Sequence, residues 1–397
     1  MSEPSLGRWL TIIGIGEDGL AGLSEASRNA LDQAETVFGG ERHLKLAAVD
    51  GRGKPWPVPF DASCVLAKRG RPTAVLASGD PFWHGAGGTL ASQLAPDEWI
   101  AHPSPSTFSL AASRLGWPLE STICIGLHAA PFERLVPLLA RDVRIICLVR
   151  DAKAAADLAI WLTARGFGPS RLWTLSALGG SRECITESKA DGYVNDSMAS
   201  PLAVAIEADG AAGLPRTSGL ADDLFQHDGQ ITKRPIRALA LSALAPRPGE
   251  RLWDIGAGSG SISIEWALSG GSASAIEARE DRARNIRANA EAFGLAHKIG
   301  IIVASAPAAL SSLEKPDAVF IGGGLDAAMF DAIWQLLPES TRLVAHSVTL
   351  ETESQLVDLQ RKHGGDLMRV EISHAAPLGG FRAWEASRPV VQWSVVK

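Results

Sequence analysis

The chain is short of cysteine: four residues in 397, Cys64, Cys124, Cys147 and Cys184, with no CxxC pair and no histidine at finger-like spacing. That excludes a zinc-finger or disulfide scaffold; Cys124 and Cys147, inside apolar runs, read as small buried hydrophobes in a reducing compartment. Basic residues are in no excess, 38 Lys and Arg against 44 Asp and Glu for a net charge of −6. Phosphate-backbone binding wants a basic field, so nucleic acid is not an expected partner. The 12 tryptophans form no stripe that bases could stack on. No uninterrupted apolar run can span a bilayer, and MSEPSLGRWLTII lacks a basic region followed by a long apolar one. A cytoplasmic protein with no membrane partner is expected. No cluster has metal-ligand spacing, so no metal is expected either.

What is present is an alternation of apolar stretches with helical patterns, in a chain long enough for two domains. Residues 9–13, 73–77, 144–149 and 202–206 read as strands, with helical stretches near 85–94 and 152–165. Segment 211–228 is rich in Gly, Asp and small residues and reads as a linker between domains spanning 1–210 and 229–397. The second domain reads as a doubly wound α/β sheet. Its strands are expected at 251–255, 273–277, 300–304, 317–321, 342–346, 367–372 and 391–396, its helices at 260–268, 280–292, 326–336 and 351–361. HAAPLGGFRAWEASRP, before the last strand, has no regular period and reads as a hairpin arm or loop over the active site.

Asp254, Gly256, Gly258 and Gly260 stand in DIGAGSG, directly after strand RLWDI and before a helical stretch. Glycines let a turn approach a ligand closely, and open sheets bind ligands at the C-terminal ends of their strands. Alone, such a loop serves a dinucleotide, a nucleoside or a tight turn. Two further features narrow the choice. Glu277 ends the next strand, where a carboxylate can accept both ribose hydroxyls of an adenosine. The acid in the loop suits a cationic cofactor better than pyrophosphate. This arrangement resembles the class I methyltransferases. The resemblance implies S-adenosylmethionine as cofactor, with Asp254, Gly256, Gly258 and Gly260 framing its methionine part and Glu277 holding its ribose. It also places Ala304, Ser305 and Ala306 on the adenine side and Gly322 with Gly323 in the active-site loop.

The N-terminal half has its own glycine motif, Gly14-Ile-Gly16-Glu-Asp-Gly19. It matches GxGxxG, but Glu35 precedes the apolar pair Val37-Phe38 and so stands at the wrong end of an element for a dinucleotide fold. Glu17 and Asp18 are also poor company for pyrophosphate. Three more segments follow: Ser78-Gly79-Asp80-Pro81-Phe82, Pro105-Ser106-Thr107-Phe108, and Ile125-Gly126-Leu127-His128. Their order and form over residues 9–207 resemble the tetrapyrrole methylase family, or class III methyltransferases, in which two α/β lobes fold the cofactor between them. The resemblance implies that Gly14 and Gly16 line the substrate cleft, that Gly79, Asp80 and Phe82 contact the cofactor, and that Ser106 and Thr107 lie near its methionine end. The family's first loop usually carries proline where this chain has Glu17. His128, and less so His84, can move a proton near neutral pH; a cap or structural hydrogen bond is the competing reading.

A tetrapyrrole methylase domain followed by a class I domain resembles the fused methyltransferases of aerobic cobalamin synthesis. IIGIGEDG, ITKRPIRALALSAL, LWDIGAGSGSISIEW and RPVVQWSVVK carry that resemblance. It implies two C-methylations of a precorrin, at C5 by the N-terminal domain and at C15 by the C-terminal domain, the latter with decarboxylation of a ring C acetate. Such a substrate is a polyanion, to be met by Lys233, Arg234, Arg237 and Arg382; Lys233 and Arg234, just before the class I core, are catalytic candidates through that contact. Related families form dimers or tetramers, which implies self-association. The alternatives are another corrinoid intermediate as substrate, or a class I RNA or protein methyltransferase with an N-terminal binding module.

Overall fold

The computed structural model describes residues 7–49, 51–194 and 198–397. Contacts divide the chain into two units: residues up to 132 with 139–212, and 213–397 with the short stretch 133–138.

The first unit has two five-stranded sheets. One contains β1 (Leu10–Ile15), β2 (Thr36–Gly39), β3 (Gly53–Pro55), β4 (Thr73–Ser78) and β5 (Trp99–His102), in the order β3-β2-β4-β1-β5. Every pairing in it is parallel. Parallel strands are covered on both faces and so read as continuous apolar runs. β1 is such a run: Ile13 and Ile15 pack with Val37 and Leu76 on one side, Leu10 and Ile12 with Phe38 and Val75 on the other. Glu35 precedes β2, as its place before Val37-Phe38 required. The other sheet holds β6 (Thr122–Gly126), β7 (Arg144–Val149), β8 (Arg171–Ser176), β9 (Cys184–Lys189) and β10 (Leu202–Glu207), in the order β6-β7-β10-β8-β9. Only β6 and β7 run parallel there.

The second unit is built on β11 (Arg251–Ile255), β12 (Ser272–Glu277), β13 (Ile299–Val303), β14 (Ala318–Ile321), β15 (Arg342–Ser347), β16 (Asp366–Val370) and, after a separate hairpin of β17 (Ser373–Leu378) and β18 (Phe381–Ala386), β19 (Val390–Val396). The sheet order is β13-β12-β11-β14-β15-β19-β16, with β19 antiparallel to both neighbours. The seven expected strands are present, and the aperiodic segment is the hairpin. Winding reverses between β11 and β14, so their C-terminal ends open a crevice where ligands of such sheets bind. Leu252, Ala273 and Phe320 face one helical layer, Trp253, Val319 and Leu343 the other.

The expected linker is no free connector. Leu220 and Phe225 are buried in the second unit's core, Phe225 lying 5.2 Å from Phe293 between ring centroids. The N–H groups of Gly219 and Leu220 donate to the Glu265 carboxylate at 2.6 and 3.0 Å. No helix among the described residues is long and apolar enough to cross a membrane.

Candidate functional site

Each unit carries a cavity at the C-terminal ends of its parallel strands. In the second unit it measures about 1090 Å³. The loop after β11 forms its floor. Gly256, Gly258 and Gly260 have φ of +69°, +60° and +75°, a region that favours glycine. A Cβ on Gly260 would lie 2.8 Å from Ile286, while the space over Gly256 is open. Gly256, Gly258, Ala304, Ser305, Ala306, Gly322 and Glu277 all line the cavity; Gly260 lies behind it, packed on Ile286. β11 and β14 are adjacent, Ile255 opposite Ile321, so the two glycine loops meet: the Gly322 N–H donates to Ile255 O at 3.1 Å.

Glu277, buried at the end of β12, accepts from Gly258 N–H through Oε2 at 2.9 Å and from Arg279 N–H through Oε1 at 3.0 Å. Each carboxylate oxygen can accept once more, which fits a pair of ribose hydroxyls. The open faces of Gly256, Gly323 and Gly324 leave room for a ligand against the backbone. The residues present therefore fit S-adenosylmethionine.

Asp254 is placed differently from the expectation. It is buried beneath the loop, not on the cavity wall, and Oδ2 accepts from Ser263 N–H and Oγ–H at 3.2 and 2.7 Å. Its Oδ1 has no partner. Burial, and less so the Glu277 charge, pushes its carboxyl up to about 6. It ties the loop to the next helix.

Arg237 overturns its reading as a substrate contact. Its side chain is 0% exposed. Nε donates to Glu265 at 2.5 Å, Nη1 to Asp222 at 3.1 Å and to Thr232 O, Nη2 to Leu220 O, and the guanidinium lies 4.8 Å from the Phe225 ring centroid. It fastens segment 220–232 to the helix Ser261–Leu268 that carries Glu265, and it is buried away from the cavity. Lys233 and Arg234 do line the cavity and are exposed, Lys233 Nζ lying 4.0 Å from Asp222. Arg382, on the exposed hairpin, is not on its wall; Arg388 at the hairpin's base is.

His346 was not singled out by the sequence. It is the penultimate residue of β15, lines the cavity and is buried against Phe320 and Gln392. Nε2 donates to Gln392 Oε1 at 2.9 Å, which leaves Nδ1 as the acceptor nitrogen. Burial holds its pKa below the ordinary histidine value, more than Gln392 raises it.

In the first unit the cavity measures about 690 Å³. Loops after β1, β4 and β5 close on one another at its base. Gly79 has φ +54°, and a Cβ there would lie 2.8 Å from Ser106 Cα. Its N–H donates to Ile15 O and its carbonyl accepts from Ser104 N–H, each at 3.1 Å. Gly14 is buried against Gly79 and supports the loops from beneath; it and Gly16 are off the cavity wall, away from the substrate-cleft position that the resemblance implied. Asp80 accepts from Phe82 N–H at 2.9 Å, and the Phe82 ring lies tilted against Trp99, centroids 5.6 Å apart. Neither residue lines the cavity; Ser106 and Thr107 do. The Ser106 hydroxyl caps the helix Thr107–Leu115 by accepting from Ser109 N–H at 3.1 Å. His84 and His128 face each other across the cavity wall, ring centroids 6.4 Å apart, with both rings against Gly126.

The sequence also missed a polar cluster on this wall. Arg42 Nη2 donates to Ser78 Oγ at 2.8 Å and to His43 Nε2 at 2.9 Å, and Nη1 pairs with Glu17. Burial first, then the Arg42 charge, hold His43 down to about 4, so it is neutral at physiological pH.

Two βα units, each with glycine loops at its strand ends and a cavity against them, define a protein with two S-adenosylmethionine-dependent methyltransferase units. The model of Tetrapyrrole (Corrin/Porphyrin) Methylases matches residues 9–191, and that of the Precorrin methyltransferase domain residues 223–397. A Precorrin-6Y C(5,15)-methyltransferase [decarboxylating] of Sinorhizobium is 46% identical over 408 aligned positions, covering 100% of this chain and 98% of its own. One of Mycobacterium tuberculosis is 40% identical, covering 98% of this chain and 100% of its own. A shorter relative from Saccharolobus solfataricus, named for cobalt-precorrin-6B C(15)-methylation with decarboxylation, is 39% identical over 41% of this chain and 85% of its own. The chain belongs to the precorrin-6Y C(5,15)-methyltransferase (decarboxylating) family.

Proposed function

We propose that this chain methylates precorrin-6Y at C5 and C15 and removes carbon dioxide from its ring C acetate, giving precorrin-8X. The observation that carries the reading is a pair of separate cavities, each framed by its own glycine loops, on one chain whose full-length relatives bear that name. We assign C5 to the first unit and C15 with decarboxylation to the second. A relative named for C(15)-methylation and decarboxylation alone matches about one unit's share of the chain, which supports this division.

S-adenosylmethionine, when bound, supplies a methyl group already activated by sulfonium. The residues then have to bind, align and handle protons. In the second unit Glu277 takes the ribose, the loops at Gly256–Gly258 and 304–306 take the rest of the nucleoside, and Lys233, Arg234 and Arg388 draw substrate carboxylates to the mouth. A meso carbon of the substrate forms the new C–C bond and gives up its proton, whose acceptor we take to be Nδ1 of neutral His346, a residue that lines the cavity. Loss of carbon dioxide leaves an electron pair that the conjugated ring absorbs, and protonation of the remaining carbon makes the methyl group. In the first unit His128, with His84, is the corresponding proton acceptor. Exposed Phe381 and Trp384 on the hairpin, 84% and 78% open, support self-association.

Mass spectrometry of the protein incubated with precorrin-6Y and S-adenosylmethionine tests the reading. Gain of two methyl groups with loss of carbon dioxide is expected. An unchanged substrate, in protein that binds the cofactor, overturns it.

A further inference from the structure

The Arg42 cluster is more elaborate than a surface ion pair. Glu17 is only 6% exposed, although it stands in the first glycine loop. Two guanidinium groups share it: Arg42 pairs with Oε1, and Arg182 lies 3.3 Å from Oε2. The backbone at Gly180 closes over it, where a Cβ would lie 2.6 Å from Glu17 Cβ. With His43 neutral, one carboxylate faces two guanidinium groups, and the cluster carries a net positive charge.

Arg42 itself is held but not used up. Three of its five N–H donors go to Glu17, Ser78 and His43. Two donors remain, and 36% of its side-chain surface is open on the cavity wall. Arg150, on the same wall, is less constrained: its side chain is 68% exposed and paired at 3.0 Å with the neighbouring Asp151. A guanidinium fixed on three sides, with its Nε–H and one Nη1–H to spare, can give a ligand carboxylate a charge-assisted hydrogen bond, and its conformational cost is met before the ligand arrives.

We infer that Arg42, positioned by Glu17 and Ser78, receives a carboxylate of the tetrapyrrole in the first unit's cavity and so sets the orientation in which the substrate is methylated. The inference rests on the proposed reading of that cavity as the C5 site. Removing a charge-assisted hydrogen bond costs ~10–100-fold in affinity, so Arg42→Gln is expected to raise KM for precorrin-6Y in C5 methylation by that factor. Near-normal kcat at saturating substrate and unchanged S-adenosylmethionine affinity should accompany it. Arg42→Lys keeps the charge but loses the three-point anchoring of the cation, and an intermediate rise is expected.

Steady-state kinetics of C5 methylation by the full-length protein and both variants decide the matter. A KM effect graded from Arg to Lys to Gln, with kcat retained, supports the inference. Unchanged KM, or a loss in kcat and thermal stability alone, marks Arg42 as structural and overturns it. If Arg42→Gln fails to fold, Arg42→Lys decides: a raised KM supports the inference and wild-type KM overturns it. Wild-type protein inert toward precorrin-6Y would instead sink the underlying reading.

Discussion

Glu277 Oε2 accepts the backbone N–H of Gly258 at 2.9 Å, joining the end of β12 to the glycine loop after β11. The bond fixes the carboxylate that faces the cavity and the turn that shapes the floor. Glu277→Ala removes both, so cofactor affinity of the second unit should fall ~10–100-fold, the worth of a charge-assisted hydrogen bond. Isothermal titration with S-adenosylmethionine should lose one of two binding phases. Two unchanged phases would refute the assignment.

Gly79 plays the corresponding part in the first unit, but through space and not charge. Its φ of +54° and the 2.8 Å approach to Ser106 Cα leave no room for a side chain. Gly79→Val should strain the backbone by about 1–3 kcal/mol and part the loops after β4 and β5. C5 methylation should drop by ~5–150-fold, the factor for that strain placed on the barrier, while C15 methylation by the second unit persists.

Arg237 and Glu265 form a buried ion pair, and breaking one partner strands the other. Arg237→Met should destabilise the second unit by about 3–5 kcal/mol, read as a lowered midpoint in chemical unfolding. A shift confined to substrate KM, with stability intact, would restore Arg237 as a substrate contact.

Asp254 makes the second unit's stability depend on pH. Its carboxyl titrates near 6 folded against 3.8 ordinarily, so the folded state holds its proton more tightly. Its contribution is most favourable below pH 3.8 and is lost as pH rises through about 6. Asp254→Asn keeps an acceptor for Ser263 and removes the titration. Wild-type stability relative to this variant should therefore fall between pH 4 and 6, and urea midpoints across that range measure it.

The fold was largely legible because its parallel strands are short apolar runs punctuated by glycine and acid. β11 was readable to the residue as RLWDI, and Glu277 fell at a strand end as its carboxylate required. Even the hairpin had a local signal, the Gly379-Gly380 pair that closes Leu378 onto Phe381. The Arg237 misreading had a remedy in the sequence. Ile236, Arg237, Ala240, Leu241 and Leu244 share the buried face of one helix, so the arginine stands where a core residue is expected. The Arg42–His43–Ser78 cluster had no such signal. Ser78 lies 35 positions from His43, and only the adjacency of β2 and β4 brings them together.

The division of labour between the two units is the account's central claim, and methyl-position analysis tests it most directly. Full-length Gly79→Val and Glu277→Ala proteins would each receive precorrin-6Y and carbon-13 methyl-labelled S-adenosylmethionine, and the products would be read by NMR. Label at C15 alone from the first, with the ring C acetate decarboxylated, and at C5 alone from the second, with that acetate intact, is the predicted result. Loss of the same methyl group in both variants, or decarboxylation surviving in Glu277→Ala without C15 label, would contradict it.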